Sequence, residues 1–502
     1  MSATPPSPAG SAPVPLEQLL AGFPAPREVD VDALAAAVTR GRRLVVLDDD
    51  PTGTQSTTDL PVVTTTDAED LRWGLRQPTP GFFVLTNSRS LAPADATDLL
   101  HRIVTTLLAV AAEEGVEVVL ASRGDSTLRG HFPLETDVVT QALAAAGRTV
   151  DGVVVVPALV DAGRVTVDSV HLLHTPAGYL PVGESEFARD ATFGYAASDL
   201  RDWVVEKTGG RVAREDVVAL TLADLRSTPG RVLEVLDGLR DGAFLVADAA
   251  ADEDLRALVE GLLAAEAGGR EFVYRTGPSF VRARTGQVAT PPVSPAHLRE
   301  ALTDVPDERP RTTSGLVVVG SHVGLTTRQL DALRAAGGIV EVELEVPTLV
   351  QPAARDAHVR ATVDRVVQLL DEGGPDVVVR TSRTLLRGTD ADDSLRIARA
   401  VSGALVEVVR DAVARTRPAF VLAKGGITSS DTATKALGIT RAYSRGTLLP
   451  GLVSVWEPVV GPARGVAYVV FAGNVGDEDG VRDAVTTLRA AARPLPGEPA
   501  AS

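Results

Sequence analysis

An acidic loop follows the first apolar run of the sequence, LVVL at 44–47. The loop reads DDDPTGTQ at 48–55, and its proline and glycine force a tight turn. Three adjacent carboxylates repel one another unless a cation, an arginine or a hydroxylated ligand lies against them. One interpretation is a substrate- or metal-binding loop that contains a general base. The other is a helix N-cap with additional solvated acids.

Two further apolar runs end in polar segments that carry arginine. TNSRSL at 86–91 follows FFVL, and its Arg89 could pair with a ligand or with the acidic loop. SRGDSTLRGH at 122–131 follows VEVVLA and combines charges, hydroxyls and glycines. Guanidinium groups bind carboxylate or phosphate in a bidentate manner, and glycines let backbone N–H groups approach a ligand. The second segment therefore predicts a binding loop, in which His131 either donates a hydrogen bond to the substrate or caps a helix.

Three glycine-containing turns in the second half each follow an apolar run and precede a helical pattern. They are GSH at 320–322, KGGITSS at 424–430 and GNVG at 473–476. A strand, a small-residue turn and a helix N-terminus together make an anion site, so three such turns indicate either a nucleotide site or ordinary tight connections. Lys424 could contact a phosphate or lie on the surface. Neither GxxxxGKS/T nor GxGxxG occurs, which disfavours a P-loop NTPase and a Rossmann dehydrogenase.

The elements that position these segments are short apolar runs separated by helical patterns. Runs of this kind are typical of buried parallel strands, so we expect an α/β fold with two domains, each a mostly parallel sheet flanked by helices. Ligand sites are expected at the carboxyl ends of the strands, facing an interdomain cleft. The expected organisation is a disordered tail at 1–15, an N-terminal domain at 16–284, a linker at 285–314, a C-terminal domain at 315–490 and a disordered tail at 491–502.

Composition narrows the functional class. The chain has 502 residues, no cysteine, seven histidines and a formal net charge of −17. These values exclude disulfides, iron–sulfur clusters and a thiol nucleophile, and they disfavour a histidine-rich metal site and general nucleic-acid binding. No run of about 18 apolar residues and no secretory signal occur, so we expect a cytoplasmic protein that does not span a membrane. Small molecules are the expected partners, and the sequence leaves homo-oligomerisation open.

The motifs together resemble the four-carbon acid sugar kinase family over most of residues 42–485. They occur in the order LDDDPTGTQ, TNSRSL, SRGDSTLRGHFPLE, VVPALVDAGRVTVDSVHLL, VVGSHVGLTTRQL, KGGITSSDTATKALG and FAGNVGDEDGV. The resemblance implies an N-terminal sugar-acid-binding domain, a C-terminal nucleotide-binding domain, and ATP-dependent phosphorylation of the terminal hydroxyl of threonate, erythronate or a 3-oxo-tetronate. The sequence departs from the family at Asp48 and Pro51, at Ile427, where other members often carry Glu, and in an aromatic and acidic insertion from about 178 to 210.

The resemblance also implies residue roles. Asp50, Asp125 and Arg129 are the expected catalytic residues, with Asp50 or Asp125 orienting and deprotonating the attacking hydroxyl. The expected substrate-binding residues are Asp49, Thr52, Gly53, Asn87, Arg89, Arg123, Ser126, Thr127 and His131, among which Arg123 or Arg89 would join Arg129 in clamping the carboxylate. The expected nucleotide-binding residues are Gly320, Ser321, Gly425, Gly426, Ile427, Thr428, Ser429, Gly473, Asn474 and Gly476.

The implied cofactors are ATP and Mg²⁺, with the ion held mostly through water and with no metal site made by the protein itself. Binding of both ligands is expected to close the domains around the linker. Two other functions remain open at this point. One is an NAD-dependent hydroxyacid oxidoreductase, against which the missing GxGxxG counts. The other is a sugar-acid-binding protein without catalytic activity, which the intact acidic loop and glycine turns disfavour.

Overall fold

The computed structural model describes residues 12–302, 308–383, 386, 389, 391–473 and 475–492. The chain divides into a first unit, made of residues up to 53 and of 65–289, and a second unit, made of 54–64 and of residues from 290 onward. Strands and helices are numbered below along the whole chain.

The first unit alternates strands and helices. Its strands are β1 (Arg43–Asp48), β3 (Gly81–Leu85), β4 (Val118–Arg123), β5 (Gly152–Val156), β6 (Arg164–Val167), β7 (Val170–Thr175), β8 (Gly178–Pro181), β9 (Val218–Leu220), β10 (Ala243–Ala247) and β11 (Phe272–Thr276). Its helices are α1 (Leu16–Leu19), α2 (Val31–Arg40), α3 (Ala68–Arg76), α4 (Pro93–Glu114), α5 (Leu134–Ala145), α6 (Leu200–Lys207), α7 (Leu222–Leu225), α8 (Pro229–Asp237), α9 (Asp252–Ala267) and α10 (Pro278–Arg284).

A parallel sheet in the order β3-β1-β4-β11-β5-β10-β9 forms the centre of this unit. The sequences GFFVL of β3 and GVVVV of β5 are buried at every residue, because helices cover both faces of such a sheet. β1 lies between β3 and β4, so the polar segments that follow these three strands emerge side by side. A separate antiparallel sheet contains β6, β7 and β8.

The second unit begins with a strand from early in the chain. Its strands are β2 (Leu60–Val63), β12 (Leu316–Val319), β13 (Ile339–Leu344), β14 (Asp376–Thr381), β15 (Phe420–Lys424), β16 (Arg441–Leu449), β17 (Leu452–Pro458) and β18 (Ala467–Phe471). Its helices are α11 (Pro295–Ala301), α12 (Gly324–Ala336), α13 (Val346–Leu349), α14 (Pro352–Glu372), α15 (Ala391–Arg415), α16 (Gly426–Asp431) and α17 (Gly480–Ala492).

The sheet of the second unit has the order β13-β14-β12-β15-β18-β17-β16-β2. The five strands from β13 to β18 run parallel, whereas β17, β16 and β2 continue the sheet in antiparallel fashion. Segment 54–64 therefore belongs to this unit although it lies inside the expected N-terminal range, because β2 pairs with residues 441–444. The part of the expected linker from 290 onward also belongs here, and the Leu298 side chain of α11 is fully buried.

The expected fold class is confirmed. Both units are α/β structures with mostly parallel sheets flanked by helices. Within the described ranges, none of the helices combines the length and the apolar character that a membrane span needs.

Candidate functional site

The acidic loop at the end of β1 is tied to the neighbouring strand by Arg123. The Nε and Nη2 atoms of Arg123 each lie 2.5 Å from Oδ1 of Asp48, and Nη2 also donates to the Asp50 carbonyl at 2.8 Å. Burial raises the pKa of the Asp48 carboxyl to about 7, against the opposing effect of Arg123. Both side chains are buried. In this structure the Arg123 guanidinium is therefore bonded to Asp48 and Asp50, and it holds the acidic loop in place.

Asp50 is held by its own turn. Its Oδ1 accepts hydrogen bonds from the backbone N–H of Thr52 at 2.8 Å and from the Thr52 hydroxyl, and its Oδ2 forms an ion pair with Arg89. Burial alone would raise the pKa of Asp50, but Arg89 and Arg123 outweigh it and hold the pKa well below its usual range. Gly53 is required here because a Cβ would stand 2.1 Å from an Asp48 oxygen. Asp50 is thus a fully ionised, weakly basic carboxylate.

Asp125 is partnered in the same way on the loop after β4. Its Oδ2 accepts from the Thr127 hydroxyl and from Nε of Arg129 at 2.6 Å. Arg89 Nη1 lies 3.9 Å from the same oxygen. Although burial opposes it, the charge of Arg89 and Arg129 lowers the pKa of Asp125. Arg89 therefore lies between Asp50 and Asp125 and connects the two loops.

Asp49 differs from these three acids because neither of its oxygens has a hydrogen-bond partner. The side chain is 1% exposed, and both oxygens are buried. The nearest cationic atoms are Arg123 Nη1 at 3.6 Å and Arg89 Nε at 3.9 Å. Burial raises the pKa of Asp49 to about 6 against the pull of these two arginines. Among the described residues, it is the buried carboxylate with both oxygens left unbonded.

Three buried residues that were not among the expected site residues support the loops. Glu135 of α5 accepts from the hydroxyls of Ser88 at 2.7 Å and Ser122 at 2.6 Å, and from Nη1 of Arg275 at 2.6 Å. His171 Nε2 lies 2.8 Å from the Ser126 carbonyl. Glu135 and His171 lie within the motifs SRGDSTLRGHFPLE and VVPALVDAGRVTVDSVHLL, which could have indicated them, whereas Arg275 belongs to none of the motifs and is related to them only through space.

Two of the expected substrate-binding residues are bonded within the protein. His131 Nε2 lies 3.1 Å from the Leu91 carbonyl, and its ring packs edge-on against Phe193 at 4.9 Å. Asn87 adopts a left-handed backbone conformation with φ of 53° at the start of the turn after β3. These positions shape the walls of the site.

The insertion forms one side of the site. The Phe187 ring centroid lies 4.9 Å from Cζ of Arg129, and Oδ2 of Asp190 lies 3.7 Å from Nη1 of the same arginine. The Tyr195 hydroxyl donates to the Thr127 carbonyl at 2.6 Å. The Phe187 ring and the Asp190 carboxylate of the insertion therefore lie against Arg129, which is expected to bind the substrate carboxylate.

Arg164 at the start of β6 is a further cation that the sequence analysis left out. Its Nη1 donates to the Ala162 carbonyl at 2.6 Å, while its buried Nε has no hydrogen-bond partner. Burial lowers the pKa of Arg164, and the charge of Asp125 opposes this shift. Arg164 lies in the motif VVPALVDAGRVTVDSVHLL, which could have indicated it, since guanidinium groups suit carboxylates and phosphates.

The three glycine turns of the second unit lie together at the ends of adjacent strands. A Cβ at Gly320 would stand 2.3 Å from the Thr428 hydroxyl, one at Gly425 3.2 Å from Ser321 Cβ, and one at Gly473 2.9 Å from Ser321 Oγ. The missing side chains let the turns after β12, β15 and β18 approach one another. Gly425 and Gly476 also require the left-handed region, with φ of 124° and 79°.

The other expected nucleotide-binding residues occupy distinct positions in these turns. Gly426 begins α16, Ile427 is 68% exposed, and the Ser429 hydroxyl is buried and donates to the Ala423 carbonyl at 2.7 Å. Asn474 lies outside the described residues. Thr326 contributes a bond that the sequence analysis did not foresee, from its hydroxyl to the Gly473 carbonyl at 3.0 Å.

Two basic residues near these turns have different roles. Lys424 is fully buried, with Nζ donating to the Ala472 carbonyl at 2.6 Å and lying 3.9 Å from the Phe471 ring centroid. Lys424 is therefore neither on the surface nor open to a phosphate in this structure. Arg383, by contrast, donates to the Ser321 carbonyl and the Thr327 hydroxyl, and no ion pair joins it to another described residue. It is a candidate phosphate ligand beside the first turn.

The described part of the chain contains no group of three or more His, Asp or Glu residues that could hold a metal ion. The geometry of the first unit suits a small polyhydroxy anion, since guanidinium groups and carboxylates alternate in it. The second unit offers closely approaching backbone turns that suit phosphates.

Comparisons with known families match both halves of the chain. The model described as a sugar-binding N-terminal domain matches residues 44–284, and the model described as a nucleotide-binding C-terminal domain matches residues 316–481. Comparison with curated proteins gave no match.

Solved structures share the fold. Haemophilus influenzae protein HI1011, assigned to DUF1537, is 18% identical with a TM-score of 0.59, over 88% of this chain and 100% of that chain. A Salmonella typhimurium LT2 protein, provisionally described as a tRNA synthase, is 16% identical with a TM-score of 0.63, over 88% of this chain and 98% of that chain. At these identities the likeness establishes a common fold.

Proposed function

Because the chain belongs to the four-carbon acid sugar kinase family, also designated DUF1537, we propose that it phosphorylates the terminal hydroxyl of a four-carbon sugar acid at the expense of ATP. Threonate, erythronate and 3-oxo-tetronates are the substrates to test. The observation that carries this proposal is the acid–arginine cluster at the ends of β1, β3 and β4, within the region matched as sugar-binding.

The first unit would bind the sugar acid by charge and by hydroxyl contacts. Arg129 is 26% exposed at its side chain and would bind the carboxylate, with Arg89 moving from its present acidic partners to assist. The ionised Asp50 and Asp125 would accept hydrogen bonds from the polyol hydroxyls and keep the arginines oriented. Binding of this kind selects a small anion that carries several hydroxyls.

The second unit would bind ATP through the glycine turns. Backbone N–H groups at Gly320 and Gly473 would contact the phosphates, and Arg383 would offset part of their charge. The Gly425 N–H already donates to the Phe471 carbonyl at 2.8 Å, so Gly425 would serve by letting the turns approach closely. Mg²⁺ would be held by the phosphates and water. Phosphoryl transfer asks little covalent chemistry of the protein, so positioning and charge stabilisation would provide most of the rate.

An ADP-release screen over a panel of four-carbon acids tests the proposal. We expect release that depends on one or a few acids and a product phosphorylated on the terminal oxygen, as seen by ³¹P and ¹³C NMR. The matched control is Asp125→Asn, whose release with the same acid should fall at least about 100-fold, the loss typical of a charge or base contact. Binding of the acids without ADP release would instead support a non-catalytic binding protein. NADH formation with hydroxy acids would support an oxidoreductase.

A further inference from the structure

We infer that Asp49 is the proton acceptor for the attacking hydroxyl, in place of Asp50 or Asp125. This inference rests on the proposed kinase function and names one residue for one step of it. It follows from the hydrogen bonding and burial of the four acids in the two loops, taken one by one.

Three of the four acids already have close hydrogen-bond partners within the protein. Asp48 forms an ion pair with Arg123 at 2.5 Å, and Asp50 is bonded to Thr52 and Arg89. Asp125 accepts from Thr127 and from Arg129. A carboxylate oxygen that already accepts from a guanidinium or a hydroxyl could take a proton from the substrate only by giving up such a bond. These acids are suited to orienting the arginines and the ligand.

Asp49 is the acid with free acceptor capacity. Both of its oxygens are buried and without hydrogen bonds, which is costly for a carboxylate unless a bound ligand supplies the partner. A Cβ at Gly130 would stand 3.1 Å from Oδ2 of Asp49, so this glycine keeps a side chain away from that oxygen. Gly130 has φ of 121°, a conformation that disfavours any other residue.

The charges around Asp49 come from several elements. Arg89 follows β3, Arg123 ends β4, Arg275 lies on β11, and Glu135 lies on α5. Asp48 and Asp50 flank it on its own loop. The arginines keep the group ionised near neutral pH, whereas burial keeps it basic enough to accept a proton, with its pKa raised to about 6. A general base works best when its pKa lies near the working pH.

The step conserves atoms and charge. The substrate hydroxyl gives its proton to an Asp49 oxygen as its own oxygen forms a bond to the γ-phosphorus of ATP. The bond between that phosphorus and the β,γ-bridging oxygen breaks, and ADP leaves with the electron pair. Asp49 then releases the proton to water. No oxidant, reductant or further reactant takes part.

The pH dependence of kcat/KM for the sugar acid distinguishes Asp49 from its neighbours. For the wild-type enzyme we expect kcat/KM to fall tenfold per pH unit below about pH 6. Asp49→Asn should lower kcat at least about 100-fold and remove this acidic limb, while nucleotide affinity stays as in the wild type. Asp125→Asn should also lose activity, but its remaining activity should keep the limb near pH 6.

The outcomes separate the two proposals. Retention of a tenth or more of kcat in Asp49→Asn, or an unchanged acidic limb, overturns the role of Asp49 and leaves the kinase function standing. A limb that disappears in Asp125→Asn instead moves the base to that residue. A wild-type enzyme that phosphorylates no sugar acid overturns both proposals.

A direct titration covers the case in which Asp49→Asn fails to fold. ¹³C NMR of aspartate-labelled protein, with Asp49→Glu to assign the signal, should show a carboxyl that titrates near pH 6 without turnover. An Asp49 signal that titrates below about pH 4, the ordinary range for aspartate, overturns the inference.

Discussion

Replacing Lys424 with methionine should stabilise the second unit at neutral pH. Lys424 is fully buried, and its ammonium has one hydrogen bond, to the Ala472 carbonyl, and the face of Phe471. Burial lowers its pKa from 10.5 to about 7. The folded state therefore binds this proton more weakly than the unfolded chain does, which costs free energy wherever the unfolded lysine is charged.

The size and sign of the effect follow from that pKa. Below pH 7 the full cost applies, which is about 5 kcal/mol for a difference of about 3.5 pKa units at 1.36 kcal/mol each. Between pH 7 and 10.5 the folded lysine is neutral while the unfolded one loses its proton, so stability rises with pH. The lost hydrogen bond and ring contact offset about 1–2 kcal/mol. At pH 7.5 we expect Lys424→Met to gain about 2–3 kcal/mol.

Urea unfolding followed by tryptophan fluorescence at pH 7, 8.5 and 10 measures this effect. Trp456 of β17 is buried in the second unit and reports on its unfolding. The wild type should gain stability with pH, whereas Lys424→Met should lack this component. Lys435→Met is the control, because its side chain is 65% exposed and should leave the wild-type slope intact. Equal pH slopes in the wild type and Lys424→Met would refute the reasoning.

Three further predictions concern the two ligand sites. Arg129→Ala should lower turnover with the sugar acid at least about 100-fold, measured by ADP release, because a charge clamp is lost; a loss of less than tenfold would contradict its role. Gly320→Ala should raise KM for ATP at least about tenfold with little change in sugar-acid binding by calorimetry, because its Cβ would meet the Thr428 hydroxyl at 2.3 Å; an unchanged KM would place the nucleotide elsewhere. Asp190→Asn should lower KM for the acid about two- to fivefold, since it removes a carboxylate 3.7 Å from Nη1 of Arg129; a rise in KM would mean that Asp190 binds the substrate itself.

The loops of the site could be predicted, because each one directly follows an apolar run that forms a buried strand. The polar segments after LVVL, FFVL and VEVVLA do follow adjacent parallel strands, and the three glycine turns do meet. The bonds of Ser88 to Glu135 and of Arg275 to Ser122 could not be predicted, since the partners lie 47 and 153 positions apart in the sequence. The pairing of β2 with β16 of the second unit could not be predicted either, because the sequence LPVV carries no information about which strand it pairs with.

The sequence by itself determined the α/β class and the location of the candidate loops. Apolar runs such as VVVV at 153–156 can be buried on both faces only inside a layered sheet, so polar residues after them must lie at its edge. The tertiary structure alone decided which of the neighbouring acids is neutralised. Asp48 and Asp49 are adjacent and chemically identical, yet Arg123 bonds closely to the first and leaves the second without a hydrogen bond. The basicity of a carboxylate depends on burial and on charges a few ångströms away, and those neighbours are set by folding.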